Sequence, residues 1–147
     1  MRTAAEERER ARALRRVARL RFVGYAIFRY DELEFRAPSR GDQSRGVAPL
    51  SEALHNMRAN IWRLPPGVRG NRHLEHVQEE MIVVLEGTAT MLLGDPPERV
   101  ELPRGSVCVV NTETGLQLRN ESDGEITVLI VGAPPIQGKA DYLPDVD

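Results

Sequence analysis

From residue 56 onward, the sequence alternates short apolar segments with breaks rich in glycine, proline and polar residues. The segments are 5 to 9 residues long and read NMRANIWRL, MIVVLEG, TATMLL, SVCVV, LQLRN and ITVLIVG. The breaks include PPG, GDPPE, LPRG, NTETG and NESDGE. Many short strands at regular spacing are typical of antiparallel sheets that form a sandwich or a barrel. We therefore predict an all-β fold.

The composition indicates the class of protein. A chain of 147 residues with 41% hydrophobic residues is the size of one domain with a sizeable core. Its longest apolar runs, such as the one from Met81 to Leu85, are too short to span a membrane, and the charged N-terminus lacks an apolar signal segment. We therefore expect a cytoplasmic protein with no membrane partner. The single cysteine, Cys108, excludes an internal disulfide and is predicted to be buried.

The first 23 residues differ in charge from the rest of the chain. They carry eight arginines and three glutamates, a balance of +5, so residues 24–147 must sum to −7 to give the total of −2. The segment lacks glycine and proline, and Thr3 with Glu6 forms a capping-box pattern, so we predict an N-terminal α-helix. Its thin apolar stripe consists of Ala11, Leu14, Val17, Ala18 and Phe22. We divide the chain into this basic helix, residues 1–23, and one β-domain, residues 24–147.

Two interpretations of the basic helix stay open. It is either a solvated helix that packs on the acidic body or on a second subunit, or a patch that binds phosphate or an acidic partner. In the second case the protein would be an assembly or regulatory module. No aromatic residues are interleaved with the arginines, and one helix before a β-domain is not a helix-turn-helix. We therefore expect no nucleic-acid partner.

The stretch HLEHVQEEMIVVLEG, residues 73–87, places two histidines and three carboxylates before an apolar run. Its spacing resembles the first motif of the cupin superfamily, G(X)5HXH(X)3-4E(X)6G, and the matching residues are Gly67, His73, Glu80 and Gly87. The second motif, G(X)5PXG(X)2H(X)3N, is matched in part, and we align it with Pro103, Gly105 and Asn120. The resemblance implies a small single-domain cupin, whose fold is a double-stranded β-helix, or jelly-roll barrel.

The motif departs from the family at two metal ligands. Cupins hold a metal ion with both histidines of the first motif, its glutamate, and a histidine of the second motif. Carried over, the first histidine is His73 and the glutamate is Glu80, but Glu75 stands at the second histidine. Leu116, four residues before Asn120, stands where the last histidine belongs. The resemblance therefore implies a degenerate metal site.

The remaining polar residues allow two states of this site. Alternate side chains of a strand share a face, so His73 and Glu75 point together while His76 points away. With Glu80, they form either a weak three-ligand site that suits Mn²⁺, Mg²⁺ or Ca²⁺, or a metal-free hydrogen-bonded cluster. We expect no cofactor or a weakly held divalent ion, because Leu116 places an apolar wall at the fourth position.

Other residues around the motif complete the predicted ligand pocket. Besides His73, Glu75 and Glu80, its members are Leu116, Leu118, Asn120 and Trp62. Trp62 is either a pocket wall or core, and Asn120 usually serves as a structural hydrogen-bonder. Arg72 either reaches an anionic substrate or is solvated, and we favour the solvated state. We predict that Gln78 and Glu79 are exposed in the turn before Glu80.

Three functions follow from these features. The first, which we favour, is a cupin that binds an unknown small molecule, with His73, Glu75 and Glu80 as the polar end of its site. The second is a cupin enzyme, which is either metal-dependent or a metal-free isomerase, epimerase or lyase that moves a proton with His73 and Glu80 as candidate catalytic residues. The third is the assembly or regulatory module that acts through the basic helix. Because small cupins commonly pair through barrel strands, we also expect a homodimer.

Overall fold

The structure is a computed structural model, which describes residues 3–8, 24–136 and 140–147. Residues 4–8 are helical, and 3-10 helices lie at Tyr30–Glu32 and Ser51–Ala53. The strands of the described residues are β1 Gly46–Pro49, β2 Arg58–Leu64, β3 His73–Glu75, β4 Glu79–Glu86, β5 Thr88–Leu93, β6 Glu98–Pro103, β7 Val107–Val110, β8 Gly115–Arg119, β9 Ile126–Ala133 and β10 Ala140–Tyr142. The predicted all-β fold is confirmed.

The strands form two five-stranded sheets with the orders β1-β2-β9-β4-β7 and β10-β3-β8-β5-β6. All strand pairs in both sheets are antiparallel. Most consecutive strands lie in different sheets, so the chain winds back and forth between them. This is the double-stranded β-helix that the resemblance to cupins implies.

The core lies between the two sheets. In β4 and β7, alternate residues are buried, because one face of each strand packs inward while the other faces outward. Cys108 is among the buried residues, which confirms its predicted burial. The largest fully buried apolar side chains of this core are Leu64, Ile82, Val84, Met91, Ile126 and Val128.

The outer face of the first sheet is apolar near its β7 edge. Val107 and Val109 are 55% and 63% exposed, and Met81, which pairs directly with Val109, is 38% exposed. Exposed apolar surface of this kind often marks an interaction site. The homodimer stays a prediction, and we expect a second copy to pack on this face.

The N-terminal segment is described only at its start. The Thr3 backbone N–H donates to Glu6 Oε2 at 2.7 Å, and the Glu6 N–H donates to Thr3 Oγ1 at 3.3 Å, which confirms the predicted capping box. Residues 9–23, which include the predicted apolar stripe, lie outside the described residues, so the division of the chain at residue 23 stays a prediction. None of the helices in the described part of the chain is long and apolar enough to cross a membrane.

Candidate functional site

The short strand β3 and the start of β4 bring three predicted ligands together. His73 Nε2 lies 3.7 Å from Glu75 Oε1 and 3.6 Å from Glu80 Oε1. Both carboxylates are buried, whereas the His73 side chain is 22% exposed. Strand parity explains the pairing of His73 with Glu75, because residues two apart share a face. The predicted polar cluster therefore forms at one end of the core.

The His73 ring is held by the loop that precedes it. Its Nδ1 lies 3.0 Å from the carbonyl oxygen of Asn71 and donates to it, which turns Nε2 toward the carboxylates. Burial acts to lower the pKa of His73, but contacts with Glu80 and Asn71 and the charges of Glu80 and Glu75 outweigh it. The net effect raises the pKa of His73 above its ordinary value.

Two residues outside the predicted site, Gln78 and Arg58, complete it. Gln78 is only 2% exposed, so its predicted exposure is wrong. Its Nε2 donates to the Pro134 carbonyl at 2.9 Å, and its Oε1 accepts from Arg58 Nη2 at 2.6 Å. The same Nη2 lies 3.6 Å from Glu80 Oε1 and 3.9 Å from Glu75 Oε1. Arg58 therefore faces the carboxylate pair as well as solvent.

The register of the sheet explains this arrangement. Gly132 in β9 pairs with Arg58 on one side and with Glu80 on the other. A Cβ at Gly132 would overlap the side-chain amide of Gln78, so the missing side chain gives that amide its space. Arg58 and Trp62 are four residues apart on β2 and therefore share a face, so the sequence does indicate that Arg58 points inward. Nothing in the local sequence indicates the position of Gln78. Glu79, in contrast, is exposed as predicted.

The apolar members of the predicted pocket lie beside this cluster or deeper in the core. Leu116 in β8 is the direct partner of His73 in β3, so the fourth ligand position does adjoin the cluster. Leu118 and Trp62 belong to the hydrophobic core or pack against it. Asn120 holds a turn instead, because its Nδ2 donates to the carbonyls of Leu64 and Gly124, both at 2.8 Å.

The second cupin motif is shifted from the alignment that we predicted. Counting back from Leu116 and Asn120, its second glycine falls at Glu113 and its first at Gly105, so Pro103 lies outside the motif. Glu113 has a φ of 62°, the left-handed conformation that favours glycine. Its N–H donates to the Glu75 carbonyl at 2.8 Å and so connects the two motifs. The alignment with Pro103 was wrong because the motif's proline and second glycine are both replaced.

The favoured solvation of Arg72 is also wrong. This side chain is buried on the outer side of the second sheet, where it donates to the carbonyls of Pro144 at 3.1 Å and Gly94 at 3.4 Å. A cleft of about 580 Å³ lies beside it, lined also by Arg69, Gln117 and Asp145. Gln117 alternates with the inward-facing Leu116, so this cleft and the polar cluster lie on opposite faces of the sheet.

His76 points away from the cluster, as predicted, and connects the C-terminal strand to the body. Its Nδ1 lies 2.8 Å from Glu113 Oε1, and its Nε2 lies 2.8 Å from Asp141 Oδ2 in β10. Bonds to Glu113 and then Asp141 raise the pKa of His76. When both of its ring nitrogens carry a proton, His76 fastens β10 to the turn before β8.

We expect the contribution of His76 to stability to depend on pH. Because its folded pKa is raised, this contribution is complete below the unfolded value of about 6.5 and disappears as pH rises through the folded value. The melting temperature of His76→Gln should fall below that of the wild type at about pH 6, and the difference should shrink toward about pH 8.5. His55→Gln, at an exposed position, is the control. A pH-independent difference for His76→Gln would contradict this role.

The three side chains of the cluster fit a divalent ion. Their candidate ligand atoms all lie within 4.8 Å of one another. The Nδ1–H of His73 donates to a carbonyl, as a metal-bound histidine commonly does. One imidazole and two carboxylates suit oxygen-seeking ions such as Mn²⁺ and Mg²⁺. Leu116 at the fourth position and the guanidinium of Arg58 beside both carboxylates disfavour tight binding.

Comparisons with known proteins agree with this fold and motif. A sequence model of the family described as "Cupin domain" matches residues 60–132. A search of curated proteins finds no match. Among solved structures, a sugar phosphate isomerase of the cupin superfamily from Silicibacter pomeroyi is 23% identical, with a TM-score of 0.69 over 82% of this chain and 83% of that one.

Two further solved structures share the fold at lower identity. The polyketide cyclase RemF from Streptomyces resistomycificus is 14% identical, with a TM-score of 0.71 over 84% of this chain and 88% of that one. KdgF from a Halomonas species is 14% identical, with a TM-score of 0.65 over 77% of this chain and 96% of that one. By its motifs, its barrel and its family match, this chain belongs to the cupin superfamily.

Proposed function

We propose that this protein binds a small polar molecule at the His73, Glu75 and Glu80 cluster. The observation that carries the proposal is the convergence of one imidazole and two buried carboxylates at the end of an apolar core. Buried carboxylates need charged or hydrogen-bonding partners, which here are His73 and Arg58, and hydroxyl groups of a ligand can fill their remaining acceptor positions. Solvent reaches the cluster through the partly exposed His73 and Arg58, whose side chains are 22% and 44% exposed.

The polar groups define what such a molecule must offer. Glu75 and Glu80 accept hydrogen bonds, so hydroxyl groups of a ligand suit them. Arg58 donates, so a carbonyl or carboxyl oxygen of the ligand suits the guanidinium. Leu116 beside His73 adds an apolar wall. A hydroxylated carbonyl compound, such as a sugar or a hydroxy acid, combines these properties.

A proton-transfer enzyme is the second candidate function. His73 Nε2 and Glu80 Oε1 are 3.6 Å apart, and an imidazole next to a carboxylate is a workable acid–base couple. In an isomerase, epimerase or lyase, Nε2 would take a proton from carbon next to a carbonyl, and Glu80 would stabilise the charged ring. The sugar phosphate isomerase and the polyketide cyclase among the similar folds favour this class of reaction. A divalent ion held by His73, Glu75 and Glu80 would polarise a ligand oxygen.

Ligand-dependent stability tests the binding proposal. We expect at least one compound from a panel of aldoses, ketoses and 2-hydroxy or 2-keto acids to raise the melting temperature of the wild type but not of Glu80→Gln. At a concentration about 100 times its Kd, such a compound should stabilise the protein by about 2.7 kcal/mol. Arg69→Gln, which alters the cleft on the outer side of the second sheet, should respond like the wild type. Loss of the response in Arg69→Gln alone, or no response to any compound, would contradict the proposal.

A further inference from the structure

The Arg58 guanidinium lies where it offsets part of the negative charge of the carboxylate pair. Its Nη2 is 3.6 Å from Glu80 Oε1 and 3.9 Å from Glu75 Oε1, while the two carboxylate side chains are only 5% and 9% exposed. A cation this close to two buried carboxylates offsets the repulsion between them. In a metal site with these ligands, the bound ion itself would supply that positive charge.

The fold holds Arg58 in this position. Nη2 donates to Gln78 Oε1 at 2.6 Å, and Gln78 is itself anchored to the Pro134 carbonyl at 2.9 Å. The Gln78 amide occupies the space left by Gly132, the residue that pairs with both Arg58 and Glu80. Strands β2 and β9 and the segment before β4 therefore contribute to the position of one guanidinium.

We propose that Arg58, positioned by Gln78, is a built-in counter-cation that competes with a divalent metal ion for Glu75 and Glu80. An ion ligated by His73 and the two carboxylates shares its oxygen ligands with the guanidinium, and the two positive charges repel each other. The ion therefore binds well only when the guanidinium leaves. The guanidinium of Arg58 thereby keeps this cupin site free of metal.

Removal of the guanidinium should make the site dependent on metal. Arg58→Met keeps much of the side-chain stem and removes the charge. We expect its affinity for Mn²⁺, measured by isothermal titration calorimetry, to be at least tenfold higher than that of the wild type. We also expect its melting temperature to fall in EDTA and to recover in MnCl₂, whereas the wild type should change little in either.

Arg63→Met is the matched control, because Arg63 lies on the same strand but pairs with Glu125 and stacks on Phe35. It should bind Mn²⁺ like the wild type. Gln78→Ala keeps the charge but frees the guanidinium, and we expect a smaller rise in Mn²⁺ affinity. Equal or weaker Mn²⁺ binding by both Arg58→Met and Gln78→Ala would overturn the proposal. Small-molecule binding by the wild type is a separate measurement, so failure here leaves the proposed function in place.

Discussion

The double substitution Glu75→His and Leu116→His is expected to convert this site into one that holds about one Fe²⁺, Ni²⁺ or Zn²⁺ ion per chain. Leu116 is the direct strand partner of His73, so a histidine there restores the fourth ligand position of the family. Imidazole suits these ions better than the carboxylate-rich set of the wild type. Since loss of an outer-shell partner alone costs about 10- to 100-fold in metal affinity, one added imidazole at position 116, together with an imidazole in place of the Glu75 carboxylate, should gain at least about 100-fold.

Elemental analysis of protein purified without chelator measures this effect directly. The wild type should contain little metal, and adding Arg58→Met to the double variant should tighten binding further. Leu74→His is the control, because Leu74 lies between His73 and Glu75 on β3 and faces the other way. A stoichiometric transition metal in the wild type, ligated by His73 and Glu80, would contradict both this prediction and the role of Arg58.

Asn120→Ala is expected to lower the free energy of unfolding by about 3 kcal/mol. Asn120 is 1% exposed, and its amide joins two separate parts of the chain at the carbonyls of Leu64 and Gly124. Its Oδ1 accepts from the Ser122 N–H at 3.0 Å and the Ser122 hydroxyl at 2.6 Å. Alanine would remove this donor from the buried Leu64 carbonyl, and an unmet buried hydrogen bond costs about 1 to 3 kcal/mol in itself.

Urea denaturation measures the change in unfolding free energy. Asn111→Ala, at an exposed position in the turn before β8, should stay within about 0.5 kcal/mol of the wild type. Similar losses for the two variants would show that Asn120 does not hold the turn. The expected difference follows from burial, because water replaces the lost partner only where it can reach the carbonyl.

The local sequence was sufficient for the strands, and the resemblance of its motifs to cupins was sufficient for the barrel and for part of the site. Alternating apolar residues and regular breaks depend only on neighbours along the chain, so they predict strands and their faces. The same parity placed His73 and Glu75 together and turned His76 outward. Motif spacing added Glu80, and it identified Leu116 as the residue at the fourth ligand position.

Only the tertiary structure determined what surrounds these residues. Arg58 and Gln78 are 20 residues apart in the sequence. They meet because β9 lies between β2 and β4, and because its Gly132, which pairs with Arg58, leaves space for the Gln78 amide. Arg72 is buried because the C-terminal segment, 72 residues later, supplies its acceptor at Pro144. Such contacts depend on strand order and register over long separations, which composition and local periodicity do not encode. The sequence by itself therefore determined the strands and, through the cupin motifs, the barrel and three residues of the polar cluster, whereas the packing of distant strands decided which cation stands beside them.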